Sequence, residues 1–213
     1  MGRNKNPEQT RERILDTAVQ LFVEKGYEET SIQDILDALN LSKGGIYHHF
    51  RSKEEILEAV MQKRAQYAMD MLHEIIQNTT AGNAKEKLKK ILYRLATDME
   101  TNMLDSVINT QINPRFVVGG LQACVNQDAP IIGEIIEEGV KDGSFQTAQP
   151  AYCAEIFLLL LNFWLNPVLF GRNNDETKDR LVYLQSVMHL LGVDIIDDKL
   201  ITALLNSYQK ISD

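Results

Sequence analysis

The sequence lacks the features that mark secreted, membrane-spanning and metal-binding proteins. Its two cysteines, Cys124 and Cys153, lie 29 positions apart with no CxxC or histidine spacing beside them, so we expect buried thiols and no metal site. The most apolar stretch, residues 156–170, is interrupted by two asparagines and a proline, and it is shorter than the about 20 residues that a transmembrane helix needs. The chain opens with polar residues and no basic, apolar leader, so we expect a cytoplasmic protein without a membrane partner.

Motifs of common catalytic sites are also missing. No glutamate stands three positions before any of the four histidines, which excludes the Glu-x-x-His pair of di-iron helical bundles. There is no glycine-rich phosphate loop, no serine nucleophile elbow and no cysteine close to a histidine in the sequence. We therefore predict no catalytic residues, no cofactor and no enzymatic activity.

Charge is distributed unevenly along the chain. The formal net charge of −8 would by itself argue against a nucleic-acid partner. Residues 1–53, however, hold eight basic and eight acidic residues, so the remainder carries the whole excess of negative charge. The basic residues of this first part cluster at its two ends, and such clusters suit phosphate contacts on either side of a groove. They are Arg3, Lys5, Arg11 and Arg13 in one group and Lys43, Arg51 and Lys53 in the other.

Residues 30–57 have the pattern of two short helices around a tight turn. Ser31 is expected to cap the first helix, whose apolar residues recur at three- and four-residue spacing, and Asn40 is expected to end it in a left-handed conformation. Ser42 is expected to cap a second helix over residues 43–50, which opens with a lysine and two glycines. This pattern predicts a helix-turn-helix, whose second helix enters the major groove of DNA.

A longer helix is expected directly after this motif. Ser52 and Glu55 have the three-residue spacing of a capping box, which predicts a helix from Lys53 to about Gln77. Further along we expect helices and no strands, because no alternating polar and apolar run is long enough. The expected spans are 85–104, a helix capped by Asp128 and ending at 139–143, 150–171, 177–191 and 197–211, with breaks at Asn113-Pro114 and Gly119-Gly120.

The motif resembles the signature of the TetR (tetracycline-repressor-like) family of bacterial transcription regulators. The segment 13–27 is also similar to the first helix of that family, whereas Leu36 and Asn40 stand where the family usually has alanine and glycine. Both departures are compatible with the fold. The residues that match the signature are Gly44, Ile46, Tyr47, His49, Phe50, Lys53 and Leu57.

The resulting expectation is an all-α protein with a three-helix DNA-binding head at residues 8–54. A disordered arm, residues 1–7, precedes the head, and a larger ligand-sensing and dimerising body, residues 55–213, follows it. A helix such as 154–170, which is apolar on all sides, must be covered on all sides. Two such helices can pair with their copies across a twofold axis, and the resemblance implies the same homodimer.

The resemblance also assigns roles in DNA binding. It places Lys43 and Gly45 at base edges. The phosphate contacts that it implies are Ser42, Tyr47, His48 and Lys53. Gln33 is expected to reach a base from the preceding helix. The alternative is that these are ordinary surface residues of a helix-turn-helix with a purely structural role. Each glycine, however, weakens a helix by about 1 kcal/mol, so the pair favours a functional role. His49 is expected to be a packing residue. The predicted DNA-binding residues are Ser31, Gln33, Ser42, Lys43, Gly44, Gly45, Tyr47, His48 and Lys53.

Methionine and aromatic residues recur on the helices of the body. For each residue alone, a place in the core is the simpler interpretation, but methionine-rich walls adapt to apolar guests, and the resemblance implies an effector cavity. The predicted ligand-binding residues are Met61, Tyr67, Met99, Met103, Phe116 and Trp164.

The sequence therefore predicts a homodimeric regulator, most commonly a repressor in this family, that binds an inverted repeat in double-stranded DNA and is released by a small apolar effector. The alternative is a protein-interaction module that keeps the helix-turn-helix head without using it on DNA. Duplex binding with a steep salt dependence distinguishes the two hypotheses.

Overall fold

The computed structural model describes residues 7–98 and 114–212. Every regular element in these two ranges is a helix, which confirms the predicted all-α class. The described residues form two compact units, one of residues 7–67 and the other of residues 68–98 and 114–212. Residues 1–6 of the predicted arm lie outside the described residues, and Pro7 already belongs to the first helix.

The first unit contains the predicted helix-turn-helix. Its helices are α1 (Pro7–Lys25), α2 (Ile32–Leu39), α3 (Lys43–Tyr47) and the first part of α4 (Lys53–Asn78). α1 begins six residues before the segment that the sequence pattern marked, and α4 ends within one residue of its predicted end. One small core joins the four helices, and its fully buried side chains include Ile14, Phe22, Ile35, Ile46 and Ile56.

Local signals set the ends of the short helices. Ser31 and Ser42 cap α2 and α3 as predicted, and Asn40 has φ 53°, the left-handed conformation that ends α2. α3 stops at Tyr47 instead of Phe50, because the Phe50 side chain is drawn into the core and the chain turns there toward α4.

The start of α4 differs from the predicted capping box. The Glu55 amide donates to Ser52 Oγ at 3.2 Å as expected, but the Glu55 carboxylate accepts the amide of Arg51 at 2.6 Å. The carboxylate therefore stabilises the turn before the cap and not the cap residue itself.

The second unit is a helical body. Its core includes Leu88, Ile91, Ile136, Phe157 and Leu181, all fully buried. Cys124 and Cys153 are buried free thiols, as predicted. Besides the end of α4 the body contains α5 (Ala84–Thr97), α6 (Pro114–Ala123), α7 (Ala129–Asp142), α8 (Pro150–Leu159), α9 (Pro167–Phe170), α10 (Asn174–Leu190) and α11 (Asp198–Ser212).

The break predicted at Gly119-Gly120 is wrong, since both glycines lie inside α6. The interruption predicted at Asn113-Pro114 coincides with the start of α6 at Pro114, and Asn113 lies outside the described residues. Gly120 has a packing reason, because a Cβ there would stand 3.2 Å from the Phe163 ring. Asp128 makes no side-chain cap, since the chain passes from α6 into α7 through a π-helical turn, Cys124–Asp128.

The predicted continuous helix over residues 150–171 is also interrupted. α8 passes into a second π-helical turn, Leu160–Trp164, and the short helix α9 follows. Asn166 starts α9, since its side-chain oxygen accepts the amides of Val168 and Leu169 at 3.0 and 3.2 Å. In the described ranges, no helix combines the length and apolar character of a membrane span, and no group of three or more potential metal-binding side chains was found.

Candidate nucleic-acid interface

The five-residue helix α3 is held by one apolar anchor and presents its other side chains outward. Ile46 is fully buried, whereas half of the Tyr47 surface is exposed. The Ser42 hydroxyl accepts the Gly45 amide at 3.3 Å and so organises the first turn. Ser42, Lys43, Gly44, Tyr47 and His48 are all exposed, so the structure brings these predicted residues together on one surface.

No described residue packs so closely against the two glycines of α3 that it requires their small size. Neither has a positive φ, and a Cβ on Gly44 would meet nothing within 4 Å. A Cβ on Gly45 would lie 3.5 Å from Ser42 Oγ, which is ordinary van der Waals contact. Although glycine destabilises a helix relative to alanine, both positions are glycine, and this leaves free space at the surface of α3.

Lys43 supplies an available cation at this tip. Across residues 7–98 and 114–212, its ammonium has no hydrogen-bonding or ion-pair partner. Other lysines of the same unit are engaged: Lys25 binds Asp34 at 2.8 Å, and Lys63 binds Asp16 at 2.7 Å. The tip therefore combines positive charge, low bulk and an exposed aromatic hydroxyl, which are properties of a surface that fits a DNA groove.

Ser31 begins α2 within a capping box that the sequence reasoning missed. Asp34 donates its amide to Ser31 Oγ at 3.1 Å, and its carboxylate accepts the Ser31 amide at 2.8 Å. Hydrogen bonds from Lys25 and then Ser31 hold the pKa of Asp34 far below its ordinary value. The Ser-x-x-Asp spacing was the available signal. The predicted contact Gln33 donates from Nε2 to Asp37 at 2.7 Å, which fixes its side chain on the exposed surface of α2.

The two histidines after α3 have different surroundings. His48 is exposed, whereas His49 is half-buried, and their rings meet edge to face with centroids 5.2 Å apart. Burial first, then the neighbouring His48 and Arg11, lower the pKa of His49. Arg11 itself lies 5.3 Å from the centre of the Phe50 ring, so α1 packs against the end of the motif through a cation–π contact.

Lys53 differs from the exposed residues of α3, because its ammonium is engaged by groups within the protein. Its ammonium donates to the carbonyls of Tyr27 and Glu28 at 2.7 and 3.1 Å, and lies 4.2 Å from the centre of the Tyr27 ring. No sequence signal indicated this contact, since 26 residues separate Lys53 from Tyr27.

The predicted ligand-binding residues are described only in part. Met61 and Tyr67 are half-buried on α4, and Trp164 is half-buried in the second π-helical turn. Met99 and Met103 lie outside the described residues, as does the Phe116 side chain. A groove of about 390 Å³ in the body involves none of the six, and it is lined by Tyr93, Ala96, Thr97, Lys199, Thr202, Ala203, Asn206 and Ser207.

Exposed large apolar side chains occur on α8, α9 and α10 of the body. Trp164 lies beside this region, with its ring centroid 6.3 Å from that of Tyr183. On α10 the exposed apolar residues Val182 and Leu190 are eight positions apart, so they share one helical face. The exposed large apolar residues of α8, α9 and α10 are Tyr152, Ile156, Phe170, Val182, Tyr183 and Leu190.

Comparisons with known proteins agree with this geometry. Residues 14–60 match the family model of bacterial regulatory proteins of the tetR family, and residues 96–187 match the tetracyclin repressor-like C-terminal domain. The HTH-type transcriptional repressor KstR2 of Rhodococcus jostii is 30% identical over 142 residues, which cover 64% of this chain and 68% of the relative. The icaADBC biofilm operon negative regulator IcaR of Staphylococcus aureus is 24% identical over 185 residues, covering 86% and 97% of the two chains.

A solved structure extends the similarity. A transcriptional regulator from Saccharomonospora viridis, in complex with choline, has a TM-score of 0.65 and 25% identity, covering 85% of this chain and 96% of that chain. The helix-turn-helix head and the helical body thus define a DNA-binding regulator. The chain belongs to the TetR family of bacterial regulatory proteins. The predicted family and the absence of an enzymatic role are confirmed, because its relatives are transcription regulators.

Proposed function

We propose that the exposed tip of α3 reads a specific operator sequence in the major groove. Lys43 and Gly45 face base edges in this proposal, while Ser42, Tyr47 and His48 hold phosphates beside them. The observation that carries it is the pair of glycines, whose small size is not required by packing against any residue that the structure describes. Ser31 and Gln33 are proposed to contact the neighbouring strand from the start of α2.

The experiment is a duplex titration. An operator is selected from a random DNA pool with the purified protein, and its affinity is measured over a range of salt concentrations. Lys43→Ala is expected to weaken operator binding by about tenfold or more, as for loss of one base contact. Lys141→Ala, which removes an exposed cation paired with Glu137 on α7, is the control and should bind like wild type. Equal affinity of the Lys43 variant and wild type would refute the assigned surface.

We further propose that the protein is a homodimer formed through α8 and α10. The exposed side chains Tyr152 and Ile156 on α8, with Val182 and Leu190 on α10, recur at spacings of four and eight and form apolar stripes. Two such helices from each copy would build a four-helix bundle across a twofold axis. A twofold dimer presents two recognition helices about 34 Å apart, so the operator is proposed to be an inverted repeat.

The proposed regulation is release of a repressor by a small apolar effector bound in the body. KstR2 of Rhodococcus jostii and IcaR of Staphylococcus aureus are described as a repressor and a negative regulator. An effector that binds one conformation more tightly shifts the population toward it, and here that conformation would no longer fit successive major grooves. The helix α4, which runs without interruption from Lys53 to Asn78, is proposed to transmit the change. Residues 8–54 are proposed as the head and 55–213 as the body of this cytoplasmic regulator.

A ligand screen tests this regulation. The panel holds apolar and acyl compounds together with quaternary ammonium compounds such as choline, which is bound in the Saccharomonospora viridis structure. A ligand of the folded body should raise the melting temperature by an amount that grows with the ratio of its concentration to its dissociation constant. It should also weaken operator binding by the same factor by which operator DNA weakens ligand binding. A stabilising ligand that leaves operator affinity unchanged would refute the release mechanism.

A further inference from the structure

We propose that the groove between α5 and α11 is a binding site for a small carboxylate with an aliphatic tail. Its volume of about 390 Å³ lies within the range of small-molecule pockets, about 300–1,000 Å³. None of the residues that line it belongs to the DNA-reading surface or to the predicted ligand-binding residues. The site therefore goes beyond the proposed function and can be tested without DNA.

Lys199 supplies positive charge at one end of the groove. Its ammonium lies 4.0 Å from the centre of the Tyr93 ring, and within the part of the chain that the structure describes it makes no ion pair or hydrogen bond. One turn earlier on α5, Lys89 is already engaged, since it binds Asp197 at 3.0 Å. Lys199 is thus a cation whose hydrogens an anionic ligand can still accept.

The surroundings of this ammonium favour an anion over a cation. None of the described residues that line the groove is acidic. Asp198 adjoins Lys199 in the chain but lies about 100° away around the helix, and Asp197 is held by Lys89 and by the Leu200 amide at 3.0 Å. A ligand carboxylate in the groove therefore meets the ammonium without a competing carboxylate among these lining residues.

The middle of the groove is apolar, because both helices contribute alanine there. Ala96 of α5 and Ala203 of α11 line it, and each is less than a tenth exposed. The nearby hydroxyls of Thr97, Thr202 and Ser207 all donate to carbonyls of their own helices, at 2.8–2.9 Å. Their hydrogens are therefore occupied, and a ligand meets carbon surface that suits an aliphatic tail.

One face of α11 sets the direction of the ligand. Lys199, Ala203 and Asn206 recur on it at four- and three-residue spacing. Asn206 is exposed and lies about 10 Å from Lys199 along the helix, at a rise of about 1.5 Å per residue. The carboxylate is thus placed at Lys199 and the tail on the alanines, with its end toward solvent near Asn206.

The test compares three eight-carbon probes that differ in the head group: octanoate, octanamide and octylammonium. Full-length protein with carbon-13 alanine methyl groups is titrated with each, and the Ala96 and Ala203 signals report on the groove. Octanoate should shift both signals and bind about tenfold more tightly than octanamide, as expected for a charge-assisted hydrogen bond. Octylammonium should not shift them at the same concentration. Acetate should bind more weakly than octanoate, because it lacks the tail.

Variants at exposed residues separate the charge from the space. Lys199→Met should weaken octanoate binding about tenfold, to the level of octanamide, whereas Lys199→Arg should retain most of the affinity. Thr202→Phe fills the groove with a ring and should abolish octanoate binding. Lys178→Met, at an exposed lysine of α10, is the control and should bind octanoate like wild type. All three positions are exposed, so the fold should tolerate these changes.

Three results would overturn the site. The first is equal affinity for octanoate and octanamide, which would remove the role of the charge. The second is unchanged octanoate binding in Lys199→Met or Thr202→Phe, which would place the ligand elsewhere. The third is a titration with octanoate in which the Ala96 and Ala203 signals do not move. The first and third results need only the wild-type protein, so they decide the proposal even if a variant fails to fold.

Discussion

Lys25, the last residue of α1, donates from Nζ to Asp34 Oδ1 in the first turn of α2 at 2.8 Å. The same carboxylate accepts the Ser31 amide and hydroxyl, so one side chain caps α2 and ties it to α1. A carboxylate at a helix start and a lysine at a helix end both complement the helix dipoles. The pair therefore joins the two helices at their most favourable ends.

This relationship predicts a pH-dependent contribution to stability. The folded-state pKa of Asp34 is depressed by Lys25 and Ser31, so its contribution is full above the unfolded pKa of about 4 and is lost as pH falls toward the depressed value. Asp34→Asn should lower the melting temperature at pH 7, and the difference from wild type should shrink progressively below about pH 4. Thermal unfolding followed by circular dichroism at several pH values measures both. Asp37→Asn, on the exposed side of the same helix, is the control. A difference that stays constant down to pH 2 would contradict the assignment.

Substitution of Gly44 should separate stability from DNA binding. A Cβ at this position meets nothing within 4 Å, so Gly44→Ala is expected to leave the head as stable as wild type or to stabilise it by up to about 1 kcal/mol. The same methyl group should weaken operator binding, because it occupies the space where a groove approaches. Denaturant unfolding and duplex titration on the same preparation provide the comparison. Wild-type operator affinity in Gly44→Ala would show that the small residue has no role in binding.

The dimer proposal is tested by placing the same charge at two exposed valines. Val182 on α10 is 45% exposed and Val140 on α7 is 38% exposed, so replacement by glutamate has a similar local cost at both positions. Val182→Glu should yield monomers, because an ion buried in an apolar interface is unfavourable. Val140→Glu should remain dimeric. Sedimentation velocity at several protein concentrations gives the answer, and a dimer that survives Val182→Glu and Tyr183→Glu would move the interface away from α10.

Both cysteines should be unreactive in the folded protein. Burial raises the pKa of the Cys124 thiol to about 11, and Cys153 is 3% exposed and lies 3.1 Å from the Thr147 hydroxyl. Since the thiolate is the reactive form, a disulfide reagent at pH 8 should modify neither residue quickly. Both should react once denaturant unfolds the chain. Rapid reaction of one thiol under native conditions would show that its helix opens readily, and Cys→Ser variants would identify which one.

Several features of the fold could be predicted because their causes are local in the sequence. Ser31 and Ser42 cap helices through amides three residues further on, and Asn40 adopts a left-handed conformation that few other residues accept. The apolar residues of α2 and α4 recur at helical spacing, which identifies their buried faces without knowledge of any partner. The resemblance to the family, and not this periodicity, implied that Lys43 and Tyr47 lie on the surface, where the structure has them. The sequence by itself thus determined the helix-turn-helix and the position of its tip.

Other features depend on residues far apart in the chain, and only the tertiary structure decided them. Lys53 finds its partners 26 and 25 residues away, so no local pattern distinguished a carbonyl contact from a phosphate contact. Gly120 lies inside α6 and does not interrupt it. The Phe163 ring occupies the space where a side chain at this position would stand. The π-helical turns likewise change the register of α6 and α8 by one residue, and the prolines that follow them, Pro130 and Pro167, did not predict these insertions. Helix caps and periodicity act within a few residues, whereas the partner of a long flexible side chain and the space beside a glycine are set by packing between elements.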